Sequence, residues 1–139
     1  MTAALVGLFG VAGALLRFAV DSWFAHHASI RTARPVVGSS GGSGAKARLH
    51  WPWATLLVNA GGCFIIGATH AITVRLGLTA EWHTALATGL AGGLTTFSSW
   101  TTATVRLLSE ARFGSAVLNV AANLVLGLGA AAAGIALAA

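Results

Sequence analysis

Residues 92 to 100 read Gly92-Gly93-Leu94-Thr95-Thr96-Phe97-Ser98-Ser99-Trp100, in the middle of an apolar stretch of membrane-spanning length. Adjacent glycines weaken a helix, and the hydroxyls of Thr95, Thr96, Ser98 and Ser99 ask for hydrogen bonds that hydrocarbon cannot answer. Loose backbone at that depth survives only where protein or a water-filled cavity covers it. The stretch therefore predicts a helix broken at its centre and lined with hydroxyls and aromatics, as an ion pathway requires.

Composition bounds what surrounds this break. Of 139 residues, 56% are hydrophobic and 8% charged, against about 25% charged in a soluble domain. Such a chain cannot cover itself in water, so it is read as an integral membrane protein of one domain, residues 1–139. The net charge of +5 comes from few basic residues, mostly near segment ends, and does not suggest nucleic-acid binding. The single cysteine, Cys63, excludes an intramolecular disulfide or a cysteine-rich metal site and is read as a small packing residue.

A spanning helix needs about 20 mostly apolar residues. Four segments meet that length, at about Thr2–Phe24, Trp53–Val74, Trp82–Leu108 and Ser115–Ala138. Trp23, Trp51, Trp53 and Trp82 fall near segment ends, where interfacial aromatics belong. The first segment lacks a leading basic residue and is interrupted by Arg17, so it reads as a span rather than a signal peptide. The fold class is an all-α membrane protein of four transmembrane helices, the third broken. Small residues recur four apart in every span: Gly10 and Ala14, Cys63 and Gly67, Gly89 and Gly93, Ala130 and Gly134. This spacing supports close helix approach and says nothing about substrate.

The connection at about 25–51 contains Gly38-Ser39-Ser40-Gly41-Gly42-Ser43-Gly44, a flexible-linker composition, flanked by Arg31, Arg34, Lys46 and Arg48. The other connections are short and predict antiparallel neighbours. Arg112 shares a side with the first connection, and Arg106 lies close by; the opposite side holds Arg75. The positive-inside rule then puts the first and third connections in the cytoplasm.

Few polar residues enter the spans. Arg17 has Asp21 four residues on, on the same helix face. It reads either as a snorkelling arginine paired with Asp21 or as a fixed positive charge at the mouth of an anion pathway. Asn59 reads as an interhelical clasp or as a donor in a pathway. Asn119, Asn123 and Gly127 share one face of the fourth helix and form a polar track. No span carries a central Asp or Glu, which argues against a cation channel or a proton-coupled exporter of cations. Neutral donors with one positive charge suit a small anion. The histidines, His26, His27, His50, His70 and His83, lack ligand-like spacing and are read as interfacial or loop residues.

Taken together, these residues resemble the CrcB/Fluc family of fluoride channels. The first helix carries Gly10-x-x-Gly13-Ala14-x-x-Arg17-Phe18, the second Thr55-Leu56-x-Val58-Asn59-x-x-Gly62, and the third Gly92-Gly93-Leu94-Thr95-Thr96-Phe97-Ser98-Ser99. Glu110-x-Arg112 and the Asn119/Asn123 pair fit the same pattern. The resemblance covers nearly the whole chain, apart from the glycine-serine insert.

The resemblance implies a channel rather than an enzyme, in the bacterial plasma membrane and in contact with lipid. It implies an antiparallel dimer with two fluoride pores along the subunit interface. It also implies a central structural Na⁺ held by the main-chain carbonyls of Gly92 and Thr95. Asn59, Phe97, Ser98, Ser99 and Asn123 are expected at the pore, with Arg17 in the vestibule. The family's second pore phenylalanine is replaced here by Trp100, which keeps a ring edge and adds an N–H donor. The loop-charge bias raises a second assembly, a heterodimer with an oppositely oriented paralogue. A small proton-coupled exporter and a non-conducting partner subunit are the competing functions.

Overall fold

The computed structural model describes residues 1–32 and 51–139. Helix α1 runs Thr2–Thr32 and α2 runs Trp53–Leu76. The third crossing is segmented into α3 (Ala80–Thr84), a π-helical stretch (Ala85–Ala91), α4 (Gly92–Leu94) and α5 (Phe97–Ser109). Helix α6 runs Phe113–Ala138. The uninterrupted helices α1, α2 and α6 are each long and apolar enough to cross a membrane, and the broken crossing supplies the fourth.

These bounds match the four expected spans closely, with one difference. Residues 25–32, expected in the loop, continue α1. They contain neither glycine nor proline, so nothing local stops the helix. The glycine-serine insert lies outside the described residues.

Local chemistry explains the short connections. α2 ends at Gly77, which takes the left-handed conformation at φ 61°, while the Leu78 N–H reaches back to the Thr73 carbonyl at 3.1 Å. α5 ends by the same device, with Ala111 at φ 56° and the Arg112 N–H on the Leu107 carbonyl at 2.9 Å. Both turns satisfy terminal carbonyls and reverse the chain within a few residues. α2 and α6 therefore run side by side, while α1 lies along the π-helical stretch and α4.

In lipid no hydrophobic force drives helices together, so backbone approach and packing must do so. Two glycine seams achieve it. A side chain at Gly13 would collide with the Leu90 carbonyl and sit 2.8 Å from the Leu94 nitrogen; one at Gly93 would strike the Gly10 carbonyl. That seam joins α1 to the third crossing. In the second seam, a side chain at Gly67 would strike the Ala131 carbonyl, and one at Gly134 would strike that of Phe64. It joins α2 to α6. Three hydroxyls of the third crossing return to their own helices: Thr84 donates to the Ala80 carbonyl at 2.7 Å, and Thr101 and Thr104 donate to the carbonyls of Phe97 and Trp100 at 2.8 Å. No water is needed to satisfy them.

The outside of the bundle is apolar. Leu8, Val11, Leu15, Phe18, Leu126 and Leu128 are all exposed, as lipid or a partner chain requires. Ion pairs at the α5–α6 turn include Arg106–Glu110 at 3.6 Å and Arg112–Glu110 at 3.8 Å. The pairing considered for Arg17 and Asp21 does not form. One helical turn brings their Cβ atoms near, but Asp21 is exposed and Arg17 half-buried, so the two side chains occupy different surroundings.

Gly67 and Gly129 lie on the two seam helices in opposite circumstances, since a side chain at Gly129 meets nothing within 4 Å. Gly67→Leu is expected to destabilise the bundle by roughly 1–3 kcal/mol through forced backbone separation. Gly129→Leu should leave stability unchanged. Thermal unfolding of the purified variants in detergent checks this, and equal shifts for both would contradict the seam.

Candidate intramembrane polar site

The break lies at Thr95 and Thr96, whose backbones are extended at φ −74°, ψ 155° and φ −145°, ψ 115°. The expectation of a broken third helix is met, but the glycines are not where it unwinds. Gly92 remains helical at φ −64°, ψ −39°. Gly93 serves close packing against Gly10, while Gly92 is exposed.

Asn59 holds the break open. Its Oδ1 accepts the Thr96 N–H at 2.9 Å, and its Nδ2 donates to the Thr96 carbonyl at 3.4 Å. A side-chain amide has the donor and acceptor of a peptide unit, so it replaces the helical partners that Thr96 has lost. Gly62, three residues on and on the same face, makes this reach possible. A side chain there would collide with Thr95 Cγ2 and sit 3.3 Å from the Ala91 carbonyl.

Thr96 also starts α5. Its Oγ1 accepts the Ser99 N–H at 3.2 Å and lies 3.2 Å from the hydroxyls of both Ser98 and Ser99. A threonine in extended conformation whose hydroxyl takes the N3 amide is an N-cap. The threonine-serine run thus satisfies the new helix end internally. Thr96 was not singled out from the sequence as this cap, although Thr-x-x-Ser at the head of an apolar helix was the available signal.

A polar chain leads away from the break. Asn59 Nδ2 donates to Asn123 Oδ1 at 3.1 Å, and Asn123 Nδ2 donates to the Asn119 carbonyl at 2.9 Å and its Oδ1 at 3.3 Å. Asn119, fully buried, donates to Thr104 Oγ1 at 2.9 Å. The asparagine track expected on α6 is therefore real. It is one network tying α2, the break, α6 and α5 together.

Asn59, Thr95, Thr96, Phe97, Trp100 and Asn123 line an open groove of about 340 Å³, together with Cys63, Ile66 and Leu124. Phe97 is 75% exposed and meets Trp100 edge-on, with ring centroids 5.4 Å apart. Trp100 Nε1 is buried without a hydrogen-bond partner. Such orphan donors are rare in folded proteins. Arg17 lies on α1, outside this groove.

The break also frees acceptors. In a continuous helix the Gly92 carbonyl would take the Thr96 N–H and the Thr95 carbonyl the Ser99 N–H. Here those two N–H groups go to Asn59 Oδ1 and Thr96 Oγ1. A weak Thr95 Oγ1 contact at 3.4 Å remains on the Gly92 carbonyl. Gly92 is exposed, and a side chain there would meet nothing within 4 Å. Uncommitted carbonyl oxygens are the ligands a hard cation prefers, so the donor set expected from Gly92 and Thr95 fits Na⁺ chemistry.

Four helical crossings, a break at mid-span and a polar network leading from it define a multi-pass membrane protein built around an intramembrane site. Residues 4–135 match the family model described as CrcB-like protein, Camphor Resistance (CrcB), and the chain belongs to this family. It is 44% identical over 139 residues to a protein of Renibacterium salmoninarum named "Fluoride-specific ion channel FluC", covering 100% of both chains. A Thermus thermophilus protein of the same name is 38% identical over 124 residues, covering 89% of this chain and 83% of the relative. "Fluoride-specific ion channel FluC 1" of Thermobifida fusca is 35% identical over 136 residues, covering 98% and 94%.

Removing the Asn59 amide leaves the Thr96 N–H unpaired, a loss of about 1–3 kcal/mol for a buried donor. Asn59→Ala should therefore lower thermal stability and speed hydrogen exchange at Thr96. Asn123→Ala should leave the Thr96 amide protected, because Asn59 still reaches it. Unchanged exchange at Thr96 in Asn59→Ala would contradict the assignment.

Proposed function

We propose that the chain is a fluoride-selective channel that releases fluoride passively from the cytoplasm. The observation that carries this reading is the open groove at the break, lined by Asn59, Asn123, Trp100 and the exposed ring of Phe97. The names of three relatives at 35–44% identity supply the ion.

Fluoride is small and strongly hydrated, so a pore must replace its water with donors. The Ser98 and Ser99 hydroxyls and the electropositive ring edges of Phe97 and Trp100 offer such replacement in succession, while the Asn59 and Asn123 amides, whose N–H groups are engaged with Thr96, Asn123 and Asn119, would exchange a bond to join them. Each site is weak alone, which permits passage without trapping. Arg17 concentrates anions near one end of the path by its charge.

The reading includes an antiparallel dimer. It would cover Phe97 and the apolar exterior, close each groove into a pore, and set Gly92 and Thr95 of two protomers around one axis. Two carbonyls doubled by a two-fold axis make four oxygens for a structural Na⁺. The bound ion would contribute fixed positive charge between the protomers. Of the acidic residues of the chain, Glu81 and Glu110 lie at helix ends and Asp21 in the second half of α1, so none sits at the centre of a span, which disfavours a proton-coupled exporter. The charge bias of the connections keeps pairing with an oppositely oriented paralogue beside the homodimer.

Purified protein in liposomes should release fluoride electrically and retain chloride. An aromatic edge contact is worth about 0.5–1.5 kcal/mol, so Phe97→Ala should lower fluoride flux roughly tenfold, whereas Trp100→Phe, which restores the family's phenylalanine, should keep it. Equal release of chloride would refute the selectivity, and silence of the reconstituted chain alone would favour the non-conducting partner.

A further inference from the structure

The fold brings together two histidines that the sequence does not associate. His70 lies in the last third of α2, and His83 lies in α3, across the short connection. Their rings meet edge-on at a centroid distance of 6.3 Å with planes at 77°. His70 is exposed and His83 half-buried. Both read from the sequence as interfacial or loop residues without ligand-like spacing, and their ring contact is what spacing alone does not reveal.

We propose that His70 and His83 form a two-imidazole site for a borderline divalent transition metal such as Zn²⁺. Imidazole nitrogen binds zinc at about 2.0–2.1 Å, so a tetrahedral ion holding both rings sets their centroids about 5 Å apart. The observed separation is about one ångström greater, within side-chain adjustment of histidines at two surface positions. The rings come from different helices, so a bound ion would staple α2 to the start of the broken crossing.

The site is open rather than caged. Among the described residues no group of three or more His, Cys, Asp or Glu is placed to hold a metal. Water must complete the coordination, so the ion exchanges and acts as a modulator, not as a folding element. Position gives it something to act on. Asn59, Cys63 and Ile66 line the groove along one face of α2, and His70 continues that face at the next turn. An ion there places positive charge at the end of the groove and restrains the helix that carries Asn59. This site stands on its own geometry and does not depend on which ion the groove conducts.

The test titrates ZnCl₂ calorimetrically into the full chain in detergent, in a His26→Ala, His27→Ala, His50→Ala background that removes the other imidazoles. A saturable site should persist there. His70→Gln and His83→Gln should each weaken it by at least about tenfold, since even outer-shell partners of a metal ligand are worth that much. Full affinity in either variant, or no saturable binding in the background, would overturn the proposal. A second reading uses the unsubstituted chain: Zn²⁺ should protect His70 and His83 together from carbethoxylation by diethyl pyrocarbonate, read by mass spectrometry. Failure to protect both would overturn it even if a glutamine variant did not fold.

Discussion

One side-chain amide meeting one main-chain peptide unit determines the rest of this bundle. Inside a bilayer a broken helix leaves N–H and C=O groups with no water to accept them. Asn59 answers both groups of Thr96 at once, with Oδ1 to the nitrogen and Nδ2 to the carbonyl. Aspartate lacks the donor, and leucine lacks both functions. The neighbouring Thr96 hydroxyl then takes the Ser99 N–H, so the second half of the crossing restarts as a capped helix. Without this pairing, the Thr96 N–H and carbonyl would lie unsatisfied at membrane depth.

The glycine seams serve that interaction. An asparagine side chain is short, and it reaches Thr96 only because nothing at Gly62 stands between α2 and the break. The α1 seam presses on the other side through Gly10, Gly13, Gly89 and Gly93, fixing the crossing above the break. The π-helical stretch at Ala85–Ala91 lies within that contact. Its wider turns shift the register of the residues beyond it, and so help decide which residue Asn59 meets. The α2–α6 seam sets Asn123 beside Asn59. Packing and polarity are thus one design, in which small residues bring amides to the positions where they are needed.

Much of this was legible in sequence. Spans announced themselves by length and hydrophobicity, and the run at residues 92–100 announced a break. The fourth-helix asparagines announced a track through their spacing of four. Less legible was anything set by contacts distant in sequence. Gly92 and Gly93 looked like the point of unwinding, yet the unwound residues are Thr95 and Thr96. The bond that decides this comes from Asn59, on another helix. Arg17 and Asp21 had the spacing of a pair, but spacing gives proximity and not a shared rotamer. His70 and His83 have no spacing at all that suggests a meeting, and only the α2–α3 turn brings them together.

A break of this kind also sorts charge by direction. The helical turns before it end at Leu94, presenting carbonyl oxygens and the negative end of a helix. The helix after it begins at Phe97 and presents N–H groups and the positive end. These ends carry partial charges of roughly half an electron, felt within the first and last turns. Carbonyls released around exposed Gly92 therefore favour a cation, while the start of α5, beside Phe97, Ser98 and Trp100, favours an anion. A single unwound pair of residues, Thr95 and Thr96, separates the two. Under the proposed function, a Na⁺ on the first side and a passing fluoride on the second would strengthen each other across a low-dielectric gap. An anion path then needs no buried arginine, because the backbone itself supplies the field.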